Sequence, residues 1–314
     1  MSPLRAGLAL MLIAMLSTSA AAASDRTVDV GGGVRLSVVT AGPATDKPAV
    51  ALITGWRTTK DVWGPQVEAL SKDRLVIAFD PRSQGRSTIT AEGVSPEQRA
   101  RDLRALLDGL GVKSVVLVGW SQGVQDVAAY LGQFGTSGIA GVVLVDAPIS
   151  AGAAGVTSAP EAAAQQLKML SLYGRAPREF TEGMFHAIIS RPPPEAEFKA
   201  IIDEAMRTPT AVGTAMLVSD LLGPDRTGVI AKLDRPTLVI AASRSPELEA
   251  QRAEAARLPN GRFEVVADAS HAVFIDQPER FNRLLRDFLA ELSAPAPRPS
   301  GTAARTGRAP GVLG

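Results

Sequence analysis

Hydrophobic and polar positions follow two rhythms along this chain. One is a series of short apolar runs rich in β-branched residues. Thr27 to Val30, Val34 to Thr40, Pro48 to Thr54, Arg74 to Phe79, Val115 to Val118, Ile139 to Val145, Pro236 to Ala242 and Arg262 to Val266 are of this kind. Such runs, bounded by glycine, proline or polar residues, read as strands, and the continuously apolar ones read as strands buried on both faces. The other rhythm repeats at three and four residues. Ala100, Leu103, Leu106, Leu107 and Leu110 form one such stripe, and Phe281, Leu284, Leu285 and Phe288 another. Helices are therefore predicted over Val62 to Ser71, Ser95 to Leu110, Val124 to Phe134, Glu247 to Leu258 and Pro278 to Leu292. The second of these has Ser95 as N-cap, Pro96 at the first helical position, Gln98 placed for a capping box and Gly111 as the stop.

Strand alternating with helix predicts an α/β fold with a doubly wound, mostly parallel sheet. From Ile149 to about Gly228 the strand rhythm stops. Helical segments near Glu161 to Leu172, Arg178 to Ser190, Glu195 to Arg207 and Ala211 to Leu222 are separated by Gly- and Pro-rich links. This stretch (149–228) reads as a helical cap inserted into a core made of residues 24–148 and 229–292. Ser293 to Gly314 carries almost no large apolar residue and reads as a disordered tail. In a doubly wound sheet, ligands bind beyond the carboxyl ends of the strands. Thr54-Gly55, Asp80, Ser121 and Asp146 all fall at such ends, which predicts one shared cleft.

Composition narrows the chemistry. A net charge of +1 gives no electrostatic case for a nucleic-acid partner. Cysteine is absent, so there is no disulfide and no thiolate ligand. With only His186 and His271, no histidine-rich metal site is expected, and no cofactor. The first residues look like an export signal. Arg5 supplies a positive start, Ala6 to Leu16 an apolar run, and Ala21-Ala22-Ala23 a small-residue cleavage site. Cleavage after Ala23 would give a periplasmic or secreted protein with no stable membrane insertion, since the apolar run is short for a span. No cysteine follows that run to carry a lipid anchor.

The sharpest motif is Gly119-Trp120-Ser121-Gln122-Gly123, at the end of one predicted strand and the start of a helix. Strand, tight turn and helix around G-x-S-x-G form a nucleophile elbow, which presents a serine hydroxyl above the sheet. The flanking glycines let strand and helix pack closely, and the helix start aims backbone N–H groups at an anion. Gly31-Gly32-Gly33 is a hairpin turn rather than a phosphate loop, because no helix opening with Lys-Ser/Thr follows it.

Together with the elbow, the loop Asp80-Pro81-Arg82-Ser83-Gln84-Gly85-Arg86-Ser87 and the segment from Ser270-His271 to Arg280-Phe281 carry a family resemblance. From about Thr27 to Leu292 the chain resembles the α/β-hydrolase superfamily, in particular its single-domain esterases and haloperoxidases. The resemblance implies Ser121 as nucleophile, His271 as general base, and an oxyanion hole from the backbone N–H groups of Gln122 and Trp56. Asp80 and Arg82 would hold the loop beside the elbow. Trp56 and Trp120 flank the oxyanion site and are candidates for its wall, whereas His186 falls mid-helix in the cap, where packing or a lid role is expected.

Two positions depart from the family pattern. The loop after the third strand normally reads His-Gly, and here it is Thr54-Gly55. The acid normally follows the strand at Pro236 to Ala242, where this chain has Ser245. Asp146, after the neighbouring strand, is the expected replacement, because some members, including one group of haloalkane dehalogenases, carry the acid there. Glu247 is the alternative. Dehalogenases and epoxide hydrolases of this fold need a carboxylate nucleophile, so Ser121 points to a serine hydrolase acting on a small carboxylic ester or related acyl compound. A perhydrolase activity would use the same residues. A binding protein with a degraded triad and an aminopeptidase-type amidase are the alternatives. The latter predicts cap acids to hold a substrate amine, with Glu182, Glu195, Glu197, Asp203 and Glu204 as candidates.

Overall fold

The structure is a computed structural model and describes residues 23–293. Residues 1–22 of the expected leader, and 294–314 of the expected tail, lie outside them.

Eight strands form one sheet in the order β1-β2-β4-β3-β5-β6-β7-β8. The first two, β1 (Ser24–Asp29) and β2 (Arg35–Ala41), pair antiparallel around the triple-glycine turn, and β2 pairs antiparallel with β4 (Val76–Phe79). Every other pairing is parallel, through β3 (Ala49–Ile53), β5 (Val115–Trp120), β6 (Ile139–Val145), β7 (Thr237–Ala242) and β8 (Gly261–Val266). The central strands are buried along their whole length: every residue of β3, β5 and β7 is in the core. Each Val, Leu or Ile so buried contributes about 1.5–3 kcal/mol. That explains why their sequences run continuously apolar instead of alternating.

One face of the sheet is covered by α2 (Pro96–Gly109) and α3 (Gln122–Phe134), the other by α1 (Gly64–Leu70) and α11 (Pro278–Ser293). Ser95 caps α2 by accepting from the Gln98 N–H. The reciprocal half of the capping box does not form. The Gln98 side chain instead donates to Asp102 and accepts from Arg101, charged partners that outcompete a backbone amide.

Between β6 and β7 the chain makes five α-helices, α4 (Ala153–Ser158), α5 (Pro160–Arg175), α6 (Pro177–Ile188), α7 (Glu195–Ala205) and α8 (Thr210–Leu221), and then a 3-10 turn, Thr227–Lys232. The apolar pattern misses α4, whose residues are all partly or fully exposed and so carry no stripe. After β7 come α9 (Leu248–Ala255) and, past β8, a single turn α10 (Val273–Asp276). No helix among the described residues is long and apolar enough to cross a membrane.

Parallel register aligns the strand ends. Ile53 lies beside Gly119, Trp120 beside Val145, and Val145 beside Ile240. The residues that leave these ends, Thr54, Ser121 and Asp146, therefore emerge along one edge of the sheet.

Candidate active site

Ser121 closes the β5–β6 ladder by donating its N–H to the Val145 carbonyl at 3.1 Å, then turns into α3 with φ 57° and ψ −121°. A non-glycine residue at positive φ is strained, and strain of this kind is kept where surrounding packing forces it. Here the packing is very close. A Cβ on Gly119 would lie 2.5 Å from the Gly123 carbonyl oxygen, and one on Gly123 would lie 2.6 Å from that of Ile53. Both glycines are thus required by contact distance. Asp146 repeats the device one strand over. Its N–H donates to the Ile240 carbonyl at 2.9 Å, and its φ is 48°.

These two strand ends meet at one histidine. His271 Nε2 lies 2.8 Å from Ser121 Oγ, and His271 Nδ1 lies 2.8 Å from Asp146 Oδ2. The Asp146 carboxylate is fully buried, and its second oxygen accepts from the Ala242 N–H at 2.8 Å and from Gln251 Nε2 at 3.3 Å. A buried carboxylate with its lone pairs met in this way is held in one orientation. The loop that presents His271 is itself tied down. Trp120 Nε1 donates to the His271 carbonyl at 2.9 Å, and Asp276 accepts from the Ser270 N–H at 2.7 Å and from the Arg191 N–H at 2.9 Å.

Glu247, the alternative acid, makes no hydrogen bond to His271. It is an exposed residue at the mouth of the cavity, although the cavity wall crowds its carboxyl enough to push its pKa up. Ser245 faces the supporting glutamine instead: its Oγ accepts from Gln251 Nε2 at 3.0 Å. The position that usually carries the acid has thus become part of what holds Asp146.

The loop after β3 lacks the usual histidine and is built from other side chains. Thr54 and Thr58 share a hydroxyl–hydroxyl hydrogen bond. Gln84 spans the loop, donating to the Gly55 and Thr58 carbonyls and accepting from the Arg57 N–H at 2.7 Å. Arg57, fully buried at φ 60°, reaches from this loop into the inserted helices and bonds Thr181 Oγ1 at 2.8 Å and the Ala205 carbonyl at 3.1 Å. Its guanidinium stacks over Trp56 and Tyr173, and burial lowers its pKa. The Trp56 N–H makes no hydrogen bond among the described residues, and neither does the Gln122 N–H at the start of α3. Two free backbone donors beside a serine hydroxyl can receive a developing oxyanion. Asp80 accepts from the Lys60 and Arg86 N–H groups, and Arg82 forms two 2.6 Å bonds to Asp102, so both hold loop structure.

Trp56 lines the cavity above Ser121, but Trp120 lies beneath the site at 1% exposure and serves the His271 loop. His186 is exposed and rests against Phe198, away from the cavity. The cavity, about 360 Å³, runs from Ser121 beneath α4, α5 and α8. Its polar end holds Gln122, Gln125 and Asp220, and its apolar wall includes Val156, Leu170 and Leu217. Asp220, which accepts from Gln122 Nε2, escapes a reading of the sequence. One signal was there. It is the sole charge on an apolar helix and sits in its last turn, where the helix dipole disfavours an anion. Gln84, Gln251 and Arg57 leave no such signal, because their partners come from distant segments. Among the described residues, no three His, Cys, Asp or Glu side chains gather closely enough to hold a metal ion.

A mostly parallel sheet with a serine, a histidine and a carboxylate hydrogen-bonded in line beyond its strand ends makes this protein an enzyme of the hydrolase class. The chain matches the model of the Alpha/beta hydrolase family over residues 50–284, and it belongs to that family. It is 30% identical to a non-heme chloroperoxidase from Kitasatospora aureofaciens over 254 residues, 76% of this chain and 91% of the other. It is 26% identical to a 3-oxoadipate enol-lactonase from Acinetobacter baylyi over 262 residues, 83% of this chain and 95% of the other. Among solved structures, a thermophilic esterase from Thermogutta terrifontis superposes with a TM-score of 0.71 at 26% identity, covering 87% of this chain and all of the other. A bromoperoxidase from Bacillus anthracis superposes at 0.73 with 23% identity, which speaks to the fold alone.

Proposed function

We propose that this protein is a serine esterase of small carboxylic esters, with Ser121 as nucleophile, His271 as general base and Asp146 as the acid. The observation that carries the reading is the unbroken relay, 2.8 Å from Ser121 Oγ to His271 Nε2 and 2.8 Å from His271 Nδ1 to Asp146. His271 takes the Ser121 proton as Oγ attacks the acyl carbon. Asp146, accepting from Nδ1–H, holds the tautomer that leaves Nε2 free and stabilises the imidazolium that forms. The oxyanion is received by the Trp56 and Gln122 N–H groups. His271 then protonates the departing alcohol oxygen, leaving an acyl-enzyme. In the second half it deprotonates water, which attacks the acyl carbon and returns Ser121. The names of relatives, an enol-lactonase and esterases among them, support an ester as the bond cleaved.

The test is turnover of short- and medium-chain 4-nitrophenyl esters, with mass spectrometry of the acyl-enzyme trapped on Ser121. Burst kinetics and a mass increase that vanishes in Ser121→Ala are expected. An unmutated protein that turns over no ester, or forms no adduct on Ser121, overturns the reading.

The leader-like start further supports export with cleavage after Ala23, the residue before β1. Expression in a bacterial host followed by N-terminal sequencing checks this. A mature protein starting at Ser24 in the periplasmic or secreted fraction is expected, and full-length protein confined to the cytosol argues against it. The helices between β6 and β7 act in this proposal as the cap that shapes the cavity.

A further inference from the structure

Beside the cavity lies a buried charge network that the ester chemistry leaves unused. Arg99 is paired with Asp126 through Nε at 2.8 Å and Nη2 at 2.8 Å, and Arg226 is paired with Glu97 through Nε at 2.9 Å and Nη2 at 2.8 Å. Both arginine side chains are 3% exposed. Each cation therefore has one close carboxylate, although Arg99 Nη2 and both Nη atoms of Arg226 make no hydrogen bond. Asp220 is the third carboxylate, and the cation it pairs with, Arg99, is already held by Asp126. It meets Arg99 only at 3.8 Å, too far for a hydrogen bond, and accepts otherwise from the neutral Gln122 amide. Its Oδ1, the oxygen facing Arg99 Nη2, is buried and, like that Nη2, makes no hydrogen bond, while Oδ2 is the oxygen that Gln122 meets. The 16% of the side chain that is exposed opens onto the cavity that Asp220 lines with Ser121.

The rest of the cavity leaves that charge unanswered. Glu247, at the mouth, is the second carboxylate of the lining, and the described lining contains no lysine and no arginine. Burial pushes the pKa of both carboxyls up, so a substrate carboxylate entering here would add a third acid to two that already resist ionisation. A substrate cation would be attracted by both and would favour their ionised forms.

The geometry points to Asp220, assisted by Glu247, as a specificity-determining residue that selects esters carrying a cationic group and rejects esters carrying a carboxylate. This rests on the esterase reading above. The cation fills the polar end of the cavity near Gln125 and Asp220, while apolar chain lies along Val156, Leu170 and Leu217. Nothing in the pairing depends on whether the cation is in the acyl chain or the alcohol, so both must be presented.

Two matched series provide the test. In the first, 4-nitrophenyl 6-aminohexanoate is compared with the neutral heptanoate and with the adipate monoester. In the second, choline acetate is compared with its uncharged carbon isostere, 3,3-dimethylbutyl acetate, by pH-stat. In at least one series the cationic ester is expected to exceed the neutral one in kcat/KM by about tenfold, and the adipate monoester to fall below heptanoate by a similar factor. Asp220→Asn keeps the shape and the acceptor to Gln122, and is expected to bring the cation-to-neutral ratio close to one. Glu247→Gln, at the exposed mouth, is expected to reduce it partly. The ratio is internal to each variant, so a general loss of folded enzyme does not mimic the effect. Neutral esters turned over with no cation preference in either series, or a preference untouched by both variants, overturns the inference and leaves the esterase reading standing. If no ester of any charge is hydrolysed, the esterase reading falls and this inference falls with it.

Discussion

The ends of β6 and β7 lie side by side in the sheet, and in the proposed mechanism they exchange roles. In the family pattern the acid follows the strand corresponding to β7. Here β6 supplies the carboxylate, Asp146, and the β7 side supplies what holds it. The Ala242 N–H and Gln251 Nε2 bond its inner oxygen, and Ser245 Oγ shares that same amide. One helix turn further on, Glu254 accepts from the Ile149 N–H at 2.8 Å and pins the chain that leaves Asp146. A catalytic carboxylate needs a strand end within reach of the histidine and a set of donors to fix it. Which of two adjacent strands provides the acid is free, provided the other provides the donors.

The contrast can be broken in steps of decreasing size. Removing the nucleophile is the largest. Ser121→Ala is expected to lower kcat for 4-nitrophenyl esters by about 10⁶-fold, the size of loss when the serine of a triad is deleted. Residual turnover within tenfold of the unmutated enzyme would show that the serine is not the nucleophile. Asp146→Asn comes next, with a loss of about 10⁴-fold in kcat, because the amide cannot hold the same histidine tautomer. Combining it with Ser245→Asp moves the acid back to the β7 side, and partial recovery of kcat is expected. A double variant no better than Asp146→Asn would mean that the β7 end has lost its reach to His271.

The supporting side should matter less. Gln251→Ala removes one donor to a buried carboxylate, so a loss of about tenfold in kcat with little change in KM is expected. An effect confined to stability would reduce Gln251 to a packing residue. The smallest effect is on stability and its pH dependence. Burial pushes the pKa of Glu254 up to about 7, against the opposing pull of the Ile149 N–H and Arg257. The folded state then holds a proton that the unfolded chain releases near 4.5, so stability falls as pH rises from there through 7. The loss due to this group is on the order of 3 kcal/mol. Glu254→Gln keeps an acceptor for Ile149 and removes the titration. Urea unfolding at pH 5 and pH 8 should show a smaller drop in the variant, and parallel drops would refute the assignment.

Local sequence carried the strands, the elbow and the serine it presents, for identifiable reasons. The continuously apolar runs at β3, β5 and β7 can be satisfied only by burial on both faces. Gly119 and Gly123 are demanded by contacts of 2.5 and 2.6 Å that belong to the turn and the strand beside it. The histidine was legible because only two exist and one lies in a motif. Asp146 was legible as a position, since a carboxylate at a strand end on the sheet's carboxyl edge already lies beside the elbow. Its choice over Glu247 came from the family resemblance alone, with no local signal behind it. The supporting contact belongs to the fold: His271 Nδ1 lies 2.8 Å from one and hydrogen-bonds nothing on the other.

What the chain alone determined, then, is the strands, their mostly parallel pairing and the serine turned out above them, because hydrophobic period and the G-x-S-x-G spacing are both local in the sequence. Tertiary structure decided the rest: which acid meets the histidine, how Gln84 and Arg57 replace an absent loop histidine, and where the surplus charge of Asp220 faces. Each of these is a hydrogen bond or ion pair, formed or left unmade, between segments about 27 to 150 residues apart. Such pairs have no signature in local sequence, because only the packed fold sets the few ångströms within which they act.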